Sequence, residues 1–168
     1  MTSWCVEVGT KENLVDSEGN GFAHDIADIG IATPVQVRAS RLYWLEGGLD
    51  GSSVESLATR LLTDAIAQEY RLTGDFRGAS DGTTVWIAEV RLKPGVTDAV
   101  GASVMKGARD IGIRGLADVA TGRKYYLIGD LSEAEARTVC ERLLVNEVIQ
   151  SYRLRRGSEP NVESHRSG

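Results

Sequence analysis

The stretch Asp110-Ile111-Gly112-Ile113 decides the fold, because the same four residues already stand, in the same order, at Asp28-Ile29-Gly30-Ile31. The offset between the two copies, residue 110 minus residue 28, is 82 residues. Matches without a gap extend at this offset from Trp4 and Trp86 to Tyr70-Arg71-Leu72 and Tyr152-Arg153-Leu154. Chance does not keep one register over about seventy residues, so the chain contains two tandem copies of one small unit.

The repeat sets the expected organisation of the chain. The two units are residues 3–73 and 84–155, and each alone would be marginally stable, which favours two half-domains with a shared core. Residues 73–84 are rich in Gly, Asp and Ser, and Phe76 is their one large apolar residue, so this segment is predicted to be a linker. The tail, residues 156–168, lacks apolar periodicity and is predicted to be mobile.

Composition argues against several classes of function. Hydrophobic residues make up 42% and charged residues 26% of the 168 positions, as in an ordinary globular protein. The formal net charge of -5, without a basic stripe, argues against nucleic acid as a partner. No apolar run approaches the about 20 residues that span a bilayer, and no signal peptide follows Met1, so we expect a cytoplasmic protein without membrane contact. Cys5 and Cys140 are interpreted as small buried hydrophobic residues in a reducing compartment.

Each unit is predicted to contain a strand, a helix, a strand, a helix and a strand. The opening strands alternate apolar and polar residues, and Asp16 and Asp98 are placed to cap the helices that follow. Gly30 and Gly112 end those helices. We therefore expect an α+β fold with two units of the split βαβ type, similar to the ferredoxin-like arrangement. The units should be related by a pseudo-two-fold axis, with strands from both joined or stacked.

The long middle strand of each unit carries an unexpected second apolar face. Alternate residues of a strand point to opposite faces, and one of the two sets holds the regular core positions. The other set is polar at first and then apolar at Leu42, Trp44, Tyr126 and Ile128. Ser40 and Gly122 lie where this change occurs and indicate a bulge, or a break between two strands. An apolar patch of this kind needs a cover. We expect the two units to bury it by packing sheet on sheet, with a partner protein as the alternative.

No catalytic motif is recognisable in the sequence. His24 and His165 are the only histidines, one on the polar side of the first helix and one in the tail, which argues against a metal site or a catalytic triad. No glycine cluster has the strand-loop-helix context of a phosphate loop. We therefore expect no catalytic, metal-binding or cofactor-binding residues in this chain.

The second unit resembles a known family. The resemblance rests on two segments. Leu92-Lys93-Pro94-Gly95-Val96-Thr97-Asp98 precedes the first predicted helix of the unit, and Leu143-Leu144-Val145-Asn146, followed by Val148-Ile149, comes at the end of its second helix. Both are similar to PurS, the small subunit of phosphoribosylformylglycinamidine synthase. The first unit keeps residues such as Lys11, Asp16 and Gly19 but has Glu12-Asn13 at the Pro94-Gly95 positions, so it resembles a diverged copy. Its stretch Arg41-Leu42-Tyr43-Trp44-Leu45 is similar to the N-terminal PurS-like region of large single-chain synthases.

The resemblance implies a non-catalytic subunit that bridges a PurL-type synthetase and a PurQ-type glutaminase. That ligase converts formylglycinamide ribonucleotide to its amidine with ATP and glutamine, both used by the partner subunits. A homo-oligomer is a further expectation. The alternatives are an ACT-like tandem module that binds a regulatory small molecule, or the N-terminal domain of a larger synthase. The interface candidates are Lys11, Arg41, Leu42, Trp44, Lys93, Arg123, Lys124, Tyr126 and Ile128.

Overall fold

The computed structural model describes residues 2–77 and 82–157. The first half forms β1 (Thr2–Thr10), α1 (Ser17–Asp28), β2 (Gln36–Gly47), α2 (Gly51–Leu57) and β3 (Gln68–Arg71). The second half forms β4 (Val85–Leu92), α3 (Ala99–Asp110), β5 (Leu116–Ile128), α4 (Glu133–Val139) and β6 (Gln150–Arg156). The helices α2 and α4 each continue into a π-helical turn, Ala58–Leu62 and Cys140–Leu144. The predicted element order is present in both halves, and the α+β class is confirmed.

The six strands belong to one antiparallel sheet in the order β3-β1-β2-β5-β4-β6. The halves join where β2 pairs with β5, and this pairing places Arg41 opposite Arg123, its own equivalent at the 82-residue offset. The registers on either side also repeat, since Val6 pairs with Tyr43 and its equivalent Ala88 pairs with Tyr125. The sheet therefore has a pseudo-two-fold axis that passes between Arg41 and Arg123.

A single aspartate fixes the first helix of each half to the sheet. Asp16 accepts hydrogen bonds from the backbone N–H of Gly19, at 2.9 Å, and from that of Ala39 on β2, at 2.8 Å. Asp98 accepts the equivalent two bonds in the second half. One carboxylate thus caps the helix and also holds it against the central strand, which is more than the predicted capping role.

The helices cover one face of the sheet and bury two hydrophobic cores. The first core combines β1, β2 and α2 with Val104 and Ala108, which belong to α3 of the other half. The second core combines β4, β5 and α4 with Ile26 from α1. Each half therefore supplies a helix to the core that the other half builds, and the two halves share their cores.

The expected sheet-on-sheet packing of the two units is wrong. Because β2 and β5 are neighbours in one sheet, Leu42, Trp44, Tyr126 and Ile128 share the face opposite the helices. They form two separate pairs, since Leu42 and Trp44 lie opposite Gly122 and Ala120, whereas Tyr126 and Ile128 lie opposite Arg38 and Gln36. We call this face the second face. Backbone hydrogen bonds between β2 and β5 join the units edge to edge, so no second sheet is required to hold them together.

The expected bulge or break at Ser40 and Gly122 is also wrong. β2 and β5 pass through these residues in regular register, and the irregularity lies elsewhere, between Glu46 and Gly47. A Cβ atom at Gly122 would lie 2.8 Å from two ring atoms of Trp44. The same Cβ atom would lie even closer, at 2.4 Å, to the carbonyl oxygen of Val90 on β4. Glycine at this position therefore makes room for the neighbouring strand and for the indole ring rather than bending β5.

The ends of the units differ slightly from the predicted ones. β6 includes Arg156, and the N–H of Gly157 donates to the carbonyl of Val85 at 2.7 Å, so the ordered part extends into the predicted tail. The remainder of that tail, residues 158–168, and residues 78–81 of the linker lie outside the described residues. Within the described ranges, no helix is long and apolar enough to cross a membrane.

Candidate interaction surface

A buried ionic network occupies the centre of the second face. Lys124 on β5 donates from Nζ to Oε1 of Glu7 on β1, at 2.8 Å, and these side chains are 5% and 4% exposed. Ser40 and Tyr126 donate their hydroxyl groups to the other carboxylate oxygen of Glu7. Burial raises the pKa of Tyr126, and the charge of Glu7 raises it further. The network contains groups from both halves and therefore ties the halves together.

The linker segment, which we define as residues 73–77, lies across this network. The carboxylate of Asp75 accepts hydrogen bonds from Lys124, at 2.6 Å, and from Arg155 on β6, at 2.7 and 3.0 Å. Burial alone would raise the pKa of Asp75, but Arg155 and Lys124 hold it below its ordinary value. The backbone N–H of Phe76 donates to the hydroxyl of Tyr126. The linker is thus part of the packed structure and covers part of the apolar patch.

The rest of the patch is covered by neighbouring side chains. Leu42 is 2% exposed, and Ile128 packs with Val85 and other residues of a small apolar cluster. Trp44 is half-buried, and the guanidinium of Arg91 lies 3.9 Å from the centre of its ring. Such a cation-π contact shields one side of the indole from water. Residues of the same chain therefore shield most of this apolar patch from water.

The helix face near the pseudo-two-fold axis carries an asymmetric pair of arginines. Arg123 forms an ion pair with Glu18 on α1 of the other half. Burial alone would lower the pKa of Arg123, but Glu18 raises it above its ordinary value. The residue equivalent to Glu18 at the 82-residue offset is Val100, which cannot pair with Arg41 in the same way. The two arginines are symmetric in position but not in charge environment.

Lys11 and Lys93 each hold a loop in place. The Nζ group of Lys11 donates to the carbonyl of Ala65 at 2.9 Å, and that of Lys93 donates to the carbonyl of Glu147. Each lysine therefore ties the end of an opening strand to a loop of the same unit. We call the two loops, residues 64–67 and 146–149, the tip loops.

Both tip loops are rigidly built and expose an aliphatic side chain. The carboxylate of Asp64 accepts from the N–H of Ile66 at 2.9 Å, and the amide oxygen of Asn146 accepts from the N–H of Val148 at 3.1 Å. Ile66 is 85% and Val148 83% exposed, the highest values among the exposed large hydrophobic residues of the described ranges. An ordered loop that presents the same kind of apolar residue twice has the form of a docking feature.

Sequence reasoning missed the tip loops as functional candidates. The sequence pattern predicts final strands at Ile66 to Leu72 and Val148 to Leu154, whereas β3 begins at Gln68 and β6 at Gln150. A signal was nevertheless present, because Asp64 and Asn146 are turn-forming residues at equivalent positions, each followed two residues later by a β-branched residue.

Within the described residues, the groups that could bind a metal and the two thiols lack the arrangement or the pKa that such roles need. The described residues contain no group of three or more His, Cys, Asp or Glu residues that could hold a metal ion. Burial raises the pKa of the Cys5 thiol to about 11 and that of the Cys140 thiol to about 12, so neither is a nucleophile at neutral pH. His24 is exposed and pairs with Asp28 on its own helix.

Comparison with known proteins agrees with the architecture of the second half. Residues 86–157 match the profile of the family described as "PurS: Phosphoribosylformylglycinamidine (FGAM) synthase". Over 68 residues, the chain is 35% identical to phosphoribosylformylglycinamidine synthase subunit PurS of Synechocystis sp., covering 38% of this chain and 68% of that relative. The chain belongs to the PurS family.

A solved PurS structure provides a second comparison. The crystal structure of Methanocaldococcus jannaschii PurS is described as one of the subunits of formylglycinamide ribonucleotide amidotransferase in the purine biosynthetic pathway. It is 23% identical to this chain, with a TM-score of 0.37, and the match covers 45% of this chain and 98% of that one. The family match lies in the second repeat, and the assignment of the first repeat as a diverged PurS unit stays a prediction.

The structure places the nine interface candidates in three groups. Lys124, Tyr126 and Leu42 are buried in the second face, where Trp44 and Ile128 lie half-buried beside them. Arg41 and Arg123 lie together on the helix face. Lys11 and Lys93 support the tip loops. Their roles toward a partner stay predictions, and the buried members can act on a partner only through the residues that cover them.

Proposed function

We propose that this chain is a non-catalytic PurS-type subunit of phosphoribosylformylglycinamidine synthase that bridges the synthetase and glutaminase subunits. ATP and glutamine are used by those partner subunits, which are of the PurL and PurQ types, and this chain binds no cofactor. It works in the cytoplasm. The first repeat is a diverged PurS unit fused to the second. Family membership supports the proposal.

The observation that carries the bridging role is the duplication of the tip loop. The tip loops precede β3 and β6, which are the two edge strands of the sheet. The pseudo-two-fold axis therefore places Ile66 and Val148 at opposite edges of one rigid body. Two separate apolar contacts on opposite edges suit a protein that holds two partners at the same time.

The two tips differ in sequence and can therefore bind different partners. One reads Asp64-Ala65-Ile66 and the other Asn146-Glu147-Val148. We expect Ile66→Ser to weaken binding of one synthase subunit and Val148→Ser to weaken binding of the other, each by at least about tenfold. Burying a Val or Ile side chain contributes about 1.5–3 kcal/mol, and a tenfold loss of affinity corresponds to about 1.4 kcal/mol. Titration of each variant against the purified synthetase and glutaminase subunits measures this.

Val15→Ser is the matched control for both tip variants. Val15 is 74% exposed, but the residue at its repeat-equivalent position is Thr97, so no duplicated apolar feature exists there. All three substitutions are on the surface and should change the free energy of unfolding by less than about 0.5 kcal/mol. Unchanged binding of both subunits by both tip variants would show that the tips are not the docking features.

A further inference from the structure

The centre of the helix face contains a charge arrangement that the bridging role does not use. Arg41 and Arg123 stand directly opposite each other on neighbouring antiparallel strands, and both side chains line the same groove. Like charges in this position destabilise a sheet unless something neutralises them. The groove is about 500 Å3 in volume and extends from the axis to the start of α1, with Val8, Tyr43 and Leu62 among its walls.

The carboxylates in this groove already have partners. Glu18 pairs with Arg123. Asp16 accepts from the backbone N–H of Gly19 on α1 and from that of Ala39 on β2, and it lies 4.0 Å from the guanidinium of Arg38. Within residues 2–77 and 82–157, no hydrogen bond or ion pair is recorded for the side chain of Arg41. Arg41 is therefore the uncompensated charge of the groove.

Arg41 lacks a partner because the two repeats differ at one position. Symmetry would provide Arg41 with a partner at residue 100, the equivalent of Glu18, but Val100 stands there and is 38% exposed. The half-buried guanidinium of Arg41 thus keeps its donors free toward the groove. A guanidinium presents several N–H donors in a planar fork that matches the geometry of carboxylate and phosphate groups.

We propose that Arg41 binds an oxyanion group, phosphate or carboxylate, of a small molecule that occupies this groove. The bound anion neutralises Arg41, as Glu18 already neutralises Arg123. The apolar walls formed by Val8, Tyr43 and Leu62 accept the uncharged part of the ligand. This site is independent of the tip loops, so its test does not depend on the synthase partners.

The test uses the melting temperature of the full chain in the presence of inorganic phosphate or succinate, at constant ionic strength. A ligand that binds only the folded state raises the melting temperature by mass action. We expect a rise for the unmodified chain with at least one anion, and the anion that works identifies the ligand as a phosphate or a carboxylate. Arg41→Gln should abolish the rise. Without anion it should melt no lower than the parent, because a like-charge pair has been removed.

A second variant makes the test specific. Val100→Glu provides Arg41 with an internal carboxylate at the position equivalent to Glu18, so it should weaken anion binding at least tenfold while the protein stays folded. Arg114→Gln, at an exposed arginine outside the groove lining, should keep the full rise. The proposal is overturned if neither anion raises the melting temperature of the unmodified chain. It is equally overturned if Arg41→Gln or Val100→Glu responds as the parent does.

Discussion

Replacing Gly19 with alanine is expected to lower the free energy of unfolding by roughly 3 kcal/mol, the upper end of what overpacking usually costs. A Cβ atom there would lie 2.0 Å from the carbonyl oxygen of Val37 on β2, where α1 rests on the sheet. The collision is with backbone and cannot be relieved by a side-chain rotation. Gly101 stands in the same relation to Val119, at 2.4 Å, so Gly101→Ala should have a similar effect. Urea unfolding curves measure both.

Gly21→Ala is the matched control for this effect. Gly21 lies two residues further along α1, and a Cβ atom there would meet nothing within 4 Å. Alanine is favoured over glycine inside a helix by about 0.5–1 kcal/mol, so this variant should be more stable than the parent. Equal effects of Gly19→Ala and Gly21→Ala would show that α1 is not held tightly against the central strand.

Lys124→Met is expected to lower the free energy of unfolding by about 3–5 kcal/mol, the usual cost of removing one member of a buried ion pair. The substitution leaves the carboxylate of Glu7, which is 4% exposed, without its cation in the interior of the second face. It also removes one of the contacts that hold Asp75 and the linker segment. Lys106→Met, at an exposed position on α3, is the control and should change stability little.

The double variant Glu7→Gln with Lys124→Met tests whether the loss comes from the unpaired charge. Most of the lost stability should return, because neither charge of the buried Glu7 and Lys124 pair remains. Acid should act on the same network through Asp75, whose pKa is held below its ordinary value. Its contribution to stability is present above the unfolded pKa and is lost as the pH falls through the folded pKa. A double variant no more stable than Lys124→Met alone would contradict this description of the network.

The sequence predicted the parts of the fold that depend on local pattern. The 82-residue repeat, the caps at Asp16 and Asp98, and the helix ends at Gly30 and Gly112 all rest on short-range chemistry that one chain displays openly. It did not reveal that α1 and α3 each pack in the core built by the other half. Apolar periodicity shows which side of a helix is buried but not which sheet segment it meets.

The prediction for the second face was wrong because the residues that cover it lie in the linker segment, which has no periodic apolar pattern. Asp75 and Phe76 lie in a segment that composition predicts to be a linker, yet they bind Lys124 and Tyr126 across the sheet. At the 82-residue offset the counterpart of Lys124 is Leu42, so the network exists once and has no repeat to reveal it. An isolated ionic cluster made from distant residues can be recognised only after the strands are in register.

The most direct test of the proposed function is a reconstitution of the ligase reaction. The purified synthetase and glutaminase subunits are supplied with formylglycinamide ribonucleotide, ATP and glutamine, and formation of the amidine product is measured with and without this chain. Glutamine-dependent synthesis should require the chain, whereas the chain alone should turn over neither ATP nor glutamine. Glutamine-dependent synthesis at the full rate without the chain would contradict a bridging subunit, as would turnover by the chain alone.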